Sequence, residues 1–340
     1  MKKLLALLLA FALVLSFGIV AFADGSKELT VYFAFTDDEI PTYVEAFKKD
    51  TGIQINYVRM SAGDIIARLI AEKDNPQASI ICGGNCMLAT GAAQQGLLEE
   101  YRSPVLAEVP EEFHDPDGFW TPVTVAAHVF LVNNEWFEEE KVAVPDSWEA
   151  LLDPSLKGMV MMAHPSSSGV ASSMLVNMYQ YKGEEGCWEY FNQLKEILPY
   201  FNKASSAGPA AVCLGEAAVA LTLDSDALKY KNQGYDVSIV YPETTFVDVN
   251  CAAIVKNGPA DEAENAKAFI DWMISERGQN LYIESGACRC PVNKNATAAE
   301  GMKAISDVKA FACDKVAAAA IQNDLIKEFM DKIDNAAALK

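Results

Sequence analysis

The chain has 340 residues, 47 acidic against 27 basic side chains, a net charge of −20 and 51 % hydrophobic residues. That length exceeds what one core comfortably serves, so two packed bodies are expected. The acidic balance argues against nucleic acid or an anionic lipid surface as partner.

The first 23 residues read as a secretory leader: Lys2 and Lys3, an unbroken apolar run over 4–15, then Ala21, Phe22 and Ala23 as a small-x-small cleavage site. No cysteine precedes Cys82, so no lipid-anchor cysteine follows the leader. The mature protein is therefore expected in the periplasm or outside the cell, soluble and monomeric. Loss of the two lysines deepens the negative charge by two.

Downstream, alternating Val31, Phe33 and Phe35 predict a strand over 29–35, and Ile40, Tyr43 and Phe47 an amphipathic helix over 38–49. A second strand follows over 53–58, a second helix over 61–72 and a short buried strand over 78–82. This β-α-β-α-β order implies a parallel sheet. The Pro-rich acidic stretch 103–120 reads as surface, and the β-type run 121–133 as a passage between two lobes. A helix is expected from about 145, opened by Ser147. Beyond it come a strand over 158–163, helices over 170–181, 185–198 and 210–214, and strands over 216–223, 237–240 and 250–255. An amphipathic helix over 262–274 and Ala-rich helices over 300–340 complete the chain.

Ligands of open α/β sheets sit beyond the C-terminal strand ends, where helix N-termini offer free N–H groups and partial positive charge. Here those positions hold Thr36 and Asp37; Ser61 and Gly63; Gly84 and Asn85; Ser166, Ser167, Ser168 and Gly169; Ser205 and Ser206; and Asp224, Ser225 and Asp226. Any one Ser or Thr could be a helix cap alone. Six such loops converging from two lobes make a ligand site.

Sequence blocks also carry a resemblance: VPDSWEALLDPSLKG at 144–158, HPSSSG at 164–169, GYDVSIVYP at 234–242 with AAIVK at 252–256, and AKAFIDWMIS at 266–275 with PVN at 291–293. In this order they resemble the periplasmic ferric-iron, phosphonate and sugar-phosphate receptors of ABC importers. The resemblance implies an α/β, two-lobe type II periplasmic-binding-protein fold, each lobe a mostly parallel sheet flanked by helices with hinge strands between. It assigns residues 24–125 with 250–295 to lobe 1 and 126–249 to lobe 2, with C-terminal helices 296–340 packed on lobe 2. It also implies a permease and an ATPase as partners. The family's iron carriers place two adjacent tyrosines where this chain has Ser225 and Asp226, and a histidine where Thr36, Asp37 and Asp38 stand.

The expected function is capture of a small oxyanion-bearing solute, such as a phosphonate or hexose phosphate, in the cleft between lobes. The alternative is a ferric-iron carrier in which carboxylates replace the tyrosines. An exported hydrolase is the remote reading: Gly-x-Ser-x-Gly and His-Glu-x-x-His are missing, and His164 lies too near Ser166 in sequence to serve it as base. No cofactor and no resident metal are expected. Cys82-x-x-x-Cys86 and Cys288-x-Cys290 lack zinc-ribbon spacing. The eight cysteines of an exported chain are expected to give one or two disulfides and otherwise buried thiols.

Overall fold

The computed structural model describes residues 27–334, so the expected leader at 1–23 and the end of the expected C-terminal helical region, 335–340, lie outside the described residues. Strand β1 (Glu28–Phe33), helix α1 (Ile40–Thr51), β2 (Gln54–Arg59), α2 (Ala62–Ala71), β3 (Ile80–Asn85) and α3 (Cys86–Gln94) open the chain. β1 pairs in parallel with β2 and with β3, as the β-α-β-α-β reading requires.

A short β4 (Leu98–Glu99) leads to two 3-10 turns and then β5 (Thr121–Asn133), every residue of which is buried. Stretch 103–120 is not simply surface: Val109, Phe113 and Trp120 are buried, and buried Asp115 accepts from the Phe119 amide at 2.7 Å. Its proline and acidic content masked three large apolar anchors. Helix α4 (Asn134–Glu140) follows. The helix expected from 145 is only a pair of 3-10 turns, Ala150–Leu152 and Pro154–Leu156. Ser147 does cap the first, accepting from Ala150 N at 3.3 Å, but Pro154 cannot continue an α-helical ladder.

β6 (Val160–Ala163) runs into α5 (Gly169–Ile197), which Gly183 (φ 73°) divides into the two expected helices. Then come β7 (Phe201–Asn202), α6 (Ala207–Cys213), β8 (Val219–Leu223), α7 (Asp224–Asn232), β9 (Val237–Val240) and β10 (Val247–Val255). α8 (Ala263–Met273), α9 (Glu276–Glu284), β11 (Cys290–Pro291) and α10 (Lys315–Phe329) complete the described chain. The expected helix over 300–340 is mostly irregular before Lys315. No helix among the described residues is long and apolar enough to cross a membrane.

The strand order β2-β1-β3-β10-β5-β8-β6-β7 joins two half-sheets through β5. The first half of β5 pairs with β10 and β11, Val125 facing Val249 and Cys290. Its second half pairs with β8 and β9, His128 facing Leu223 and Phe130 facing Val240. The apolar interior divides at the same place. One core runs from Leu29 to Val125 and resumes at Val249. The other two, on opposite faces of the second half-sheet, are built around Phe130 and Leu221 and around Val129 and Ala220. Two crossing strands therefore tie two lobes. The C-terminal ends of β3 and β8 both point toward the crossing, because Asn85 pairs with Asn250 and Leu223 with His128.

All eight cysteines are free thiols, so the expected disulfides do not form. Six of them are buried. Burial pushes Cys86 and Cys290 up to about 12, which removes the thiolate that exchange needs.

Candidate functional site

The strand ends of the first lobe are shaped by two glycines. Gly83 and Gly84 sit at φ +91° and +89°, which L side chains rarely adopt. A Cβ on Gly83 would stand 2.8 Å from the Phe35 ring, and one on Gly84 2.8 Å from the Ala62 Cβ. This close approach brings the Gly84–Asn85 turn against the start of α2, where Ser61 and Gly63 lie. Ser61 caps α2, accepting from Asp64 N at 3.2 Å, and Asn85 caps α3, accepting from Met87 N at 2.8 Å. Gly63 has open space around it. Thr36, Asp37 and Asp38 are exposed, and the Thr36 hydroxyl donates to Glu39 at 2.8 Å. The Asp38 carboxyl is held below its usual value, first by a hydrogen bond from Thr36.

In the second lobe most serine hydroxyls are already engaged. Ser166 Oγ lies 2.7 Å from His164 Nδ1, whose other nitrogen, Nε2, is 2.7 Å from Asp334. With one ring nitrogen on Ser166 and the other on Asp334, His164 fastens the loop to the C-terminal end of the described chain. Ser167 Oγ donates to the Lys203 carbonyl at 2.7 Å, tying the β6 loop to the β7 loop. Ser168 caps α5, accepting from Ala171 N at 3.2 Å, and Gly169 is the first helical residue. Ser168 and Ser205 border one small void together with His128. Ser205, Ser206 and Ser225 have no side-chain hydrogen bond among the described residues, and Ser206 stands at the start of α6 without capping it.

Asp224 and Asp226 occupy the first turn of α7, a helix the sequence reading left as a loop. They face different surroundings. Asp224 is 1 % exposed; it accepts from Ser225 N at 2.8 Å, with Tyr241 OH at 3.4 Å. Burial raises its carboxyl to about 6. Asp226 is exposed at the surface, although neighbouring groups stand close enough to desolvate its carboxyl. That desolvation raises its carboxyl, and the nearby Arg289 and Lys229 charges oppose the rise.

Sequence reasoning missed the groups that balance these acids. Arg289, between two cysteines, lies over the Phe35 ring at 4.3 Å and donates to Glu39 at 2.8 Å from Nε. Glu39 is 5 % exposed, so the pair is a buried anchor beside Thr36. Across the cleft, Lys229 of α7 comes within 3.8 Å of Asp38. Asn202, at the end of β7, is 4 % exposed with its Nδ2 unpaired. A lone arginine flanked by cysteines carried no pattern that would have picked it out. Among the described residues no group of three or more His, Cys, Asp or Glu side chains is placed to hold a metal ion.

Residues 75–314 match the family described as bacterial extracellular solute-binding protein. The fold is similar to the periplasmic binding protein AfuA from Actinobacillus pleuropneumoniae, solved with fructose-6-phosphate bound, at 27 % identity and a TM-score of 0.82 over 91 % of this chain and 99 % of that one. In sequence the chain is similar to iron uptake protein A1 of Synechocystis, 27 % identical over 76 % of this chain and 75 % of the relative. It is also similar to a protein of Salmonella typhi described as a putative 2-aminoethylphosphonate-binding periplasmic protein, 24 % identical over 71 % and 70 %.

Proposed function

The chain belongs to the bacterial extracellular solute-binding proteins, the receptors of ABC importers, and from that premise we propose that its cleft captures a small solute carrying a phosphorus oxyanion. The observation that carries this reading is the set of unengaged donors at the strand ends. Ser205, Ser206 and Ser225 offer hydroxyls with no side-chain partner among the described residues, while Arg289, paired with Glu39, and Lys229, near Asp38, lend a positive field from opposite lobes. Helix N-termini at α5 and α7 add backbone amides that helix geometry leaves free. Asp226 and Asp37 then suit sugar hydroxyls or an amine on the same ligand. A hexose phosphate or an aminoalkylphosphonate satisfies both halves; the ligands named for two of the three relatives belong to these classes, and the third is named for iron uptake.

The division of the chain follows from the same reading: residues 24–125 with 250–295 form one lobe, 126–249 the other, and the ligand sits between. The C-terminal segment is shared, since α10 packs on both α3 and α5. The receptor works as a monomer in the periplasm, releases its ligand unchanged to a permease driven by an ATPase, and catalyses nothing.

Thermal unfolding against hexose 6-phosphates, 2-aminoethylphosphonate, inorganic phosphate and ferric citrate tests this. A ligand at a hundredfold excess over Kd adds about 2.7 kcal/mol to the folded state. Hydrogen bonds to an anion contribute about 1.5–3 kcal/mol each, so Ser205→Ala with Ser206→Ala should weaken a phosphorus ligand by roughly 150-fold or more. A shift with ferric citrate alone would replace this reading with iron carriage. Turnover of a bound ligand would make the protein an enzyme.

A further inference from the structure

A cavity of about 380 Å³ lies at the lobe crossing, away from the serine loops. Five parts of the chain wall it, the 3-10 turn carrying Glu112 and Phe113 among them. The start of α3 gives Asn85 and Cys86, α5 gives Ser173 and Asn177, β10 gives Asp248, and the segment ahead of α10 gives Cys313 and Lys315. Met87, Phe113, Val247, Val249 and Phe311 make the rest of the wall apolar. The volume lies within the range of small-molecule pockets.

Its polar wall is rich in acceptors and short of donors. Asp248 is 6 % exposed, and its Oδ1 accepts from the Ser173 hydroxyl. His128 Nε2 stands 3.3 Å from the same oxygen, but its geometry makes no hydrogen bond. No protein donor among the described residues reaches Asp248 Oδ2. Asn177 is 3 % exposed; its amide nitrogen donates to the Ser173 carbonyl at 2.9 Å, and its Oδ1 has no partner. The one cation in the wall, Lys315, is occupied: it donates to the Glu112 carbonyl at 2.9 Å and lies over the Trp120 ring at 5.5 Å. Asp248 Oδ2 and the buried Asn177 Oδ1, neither of which meets a donor among the described residues, call for a donor from outside the chain.

We infer that this cavity is a second ligand site, taking a small amphiphilic amine whose ammonium meets Asp248 and Asn177 and whose apolar body fills the remaining wall. Both lobes and the crossing strand β10 contribute to it, so occupancy bears on the segment about which the lobes move. It shares only Asn85 with the strand-end loops, and stands or falls independently of the oxyanion cleft.

The probes are 2-phenylethylamine and its neutral counterpart 2-phenylethanol, titrated calorimetrically into the purified protein. The amine should bind saturably, and the alcohol at least tenfold more weakly. Asn177→Leu should weaken the amine at least tenfold, while Ser206→Ala leaves it unchanged. A separate measurement needs no variant. Cys313 lines the cavity, and Cys213 is a partly exposed thiol outside it. Bound amine should slow alkylation of Cys313, mapped by mass spectrometry, and leave Cys213 unaffected. Saturable binding with Cys313 protection supports the site even if Asn177→Leu does not fold. Equal affinity for the alcohol overturns the amine class. No saturable binding of either probe, or binding that neither protects Cys313 nor is weakened by Asn177→Leu, overturns the site and leaves a cavity filled by water.

Discussion

Replacing Arg289 by methionine isolates the ion pair that anchors the cleft wall. The guanidinium lies 2.8 Å from Glu39 Oε2, with 18 % of the arginine and 7 % of the glutamate side chain exposed. At an effective dielectric of about 20 the gross attraction at that distance is ~6 kcal/mol, most of it offset by desolvating two charges. Removing only the arginine strands Glu39. The loss should lie at the low end of the 3–5 kcal/mol range for broken buried pairs, about 3 kcal/mol, because Arg289 keeps some contact with water. Methionine still covers the Phe35 ring, so the loss reports charge rather than packing. Urea unfolding followed by tryptophan fluorescence measures it, with Trp272 reporting from the same core. Arg289→Met combined with Glu39→Gln removes the stranded charge and should recover at least half of the deficit. A double variant no more stable than Arg289→Met alone would refute the account. A loss below about 1 kcal/mol for the single variant would equally show that the pair behaves as a surface contact.

Asp224 sets a pH dependence. Its folded value of about 6 lies above that of an unfolded aspartate, so the folded state binds the extra proton between about pH 4 and 6. Stability therefore falls as pH rises through that window. Asp224→Asn should flatten this slope and add up to about 3 kcal/mol at pH 7 with nothing gained below pH 4; unchanged urea midpoints at both pH values would contradict it. Gly84→Ala should cost about 2 kcal/mol through positive φ and the 2.8 Å approach to Ala62, whereas Gly96→Ala, at φ +72° with open space, should cost only about 1 kcal/mol. Equal thermal shifts would mean that the Ala62 contact is irrelevant. His164→Ala should free the C-terminal end that Asp334 holds, costing about 1–2 kcal/mol and exposing residues near 334 to limited proteolysis. A cleavage pattern identical to that of the native protein would remove His164 from this fastening role.

What was legible in the sequence was whatever a period could carry. The Val31, Phe33, Phe35 alternation and the Val123 to Leu131 run gave β1 and β5, and the Phe269, Ile270, Met273 stripe gave α8. Helices that start without a preceding loop were lost. α3 begins at Cys86 directly from β3, and α7 at Asp224 directly from β8, so strand ends that read as binding loops are already helix N-termini. The candidate serines were found because strand-end logic needs only the strands. Which hydroxyls remain free could not be read in full, because it depends in part on distant partners: Lys203 for Ser167, and for Ser166 a histidine itself held by Asp334. Arg289 escaped for the same reason, its partner Glu39 lying 250 residues away.

Under the proposed reading of the cleft, the placement of charge favours a bipolar solute over a hard cation. A ferric ion needs several anionic oxygens on one point, and the acids here are dispersed. Asp224 is turned into the protein toward Tyr241, Glu39 is spent on Arg289, and Asp38 leans toward Lys229. Only Asp37 and Asp226 remain to face a ligand, on opposite lobes, and Asp226 is already tempered by Arg289 and Lys229. Two ion-paired cations, Arg289 and Lys229, together with Asp37 and Asp226 give the proposed cleft an environment of mixed sign. Such a surface discriminates by matching a bipolar ligand and leaves either half unpaired when the other is missing, a penalty larger than the gain from any single contact. Inorganic phosphate alone should therefore bind far more weakly than a phosphate carrying hydroxyls or an amine.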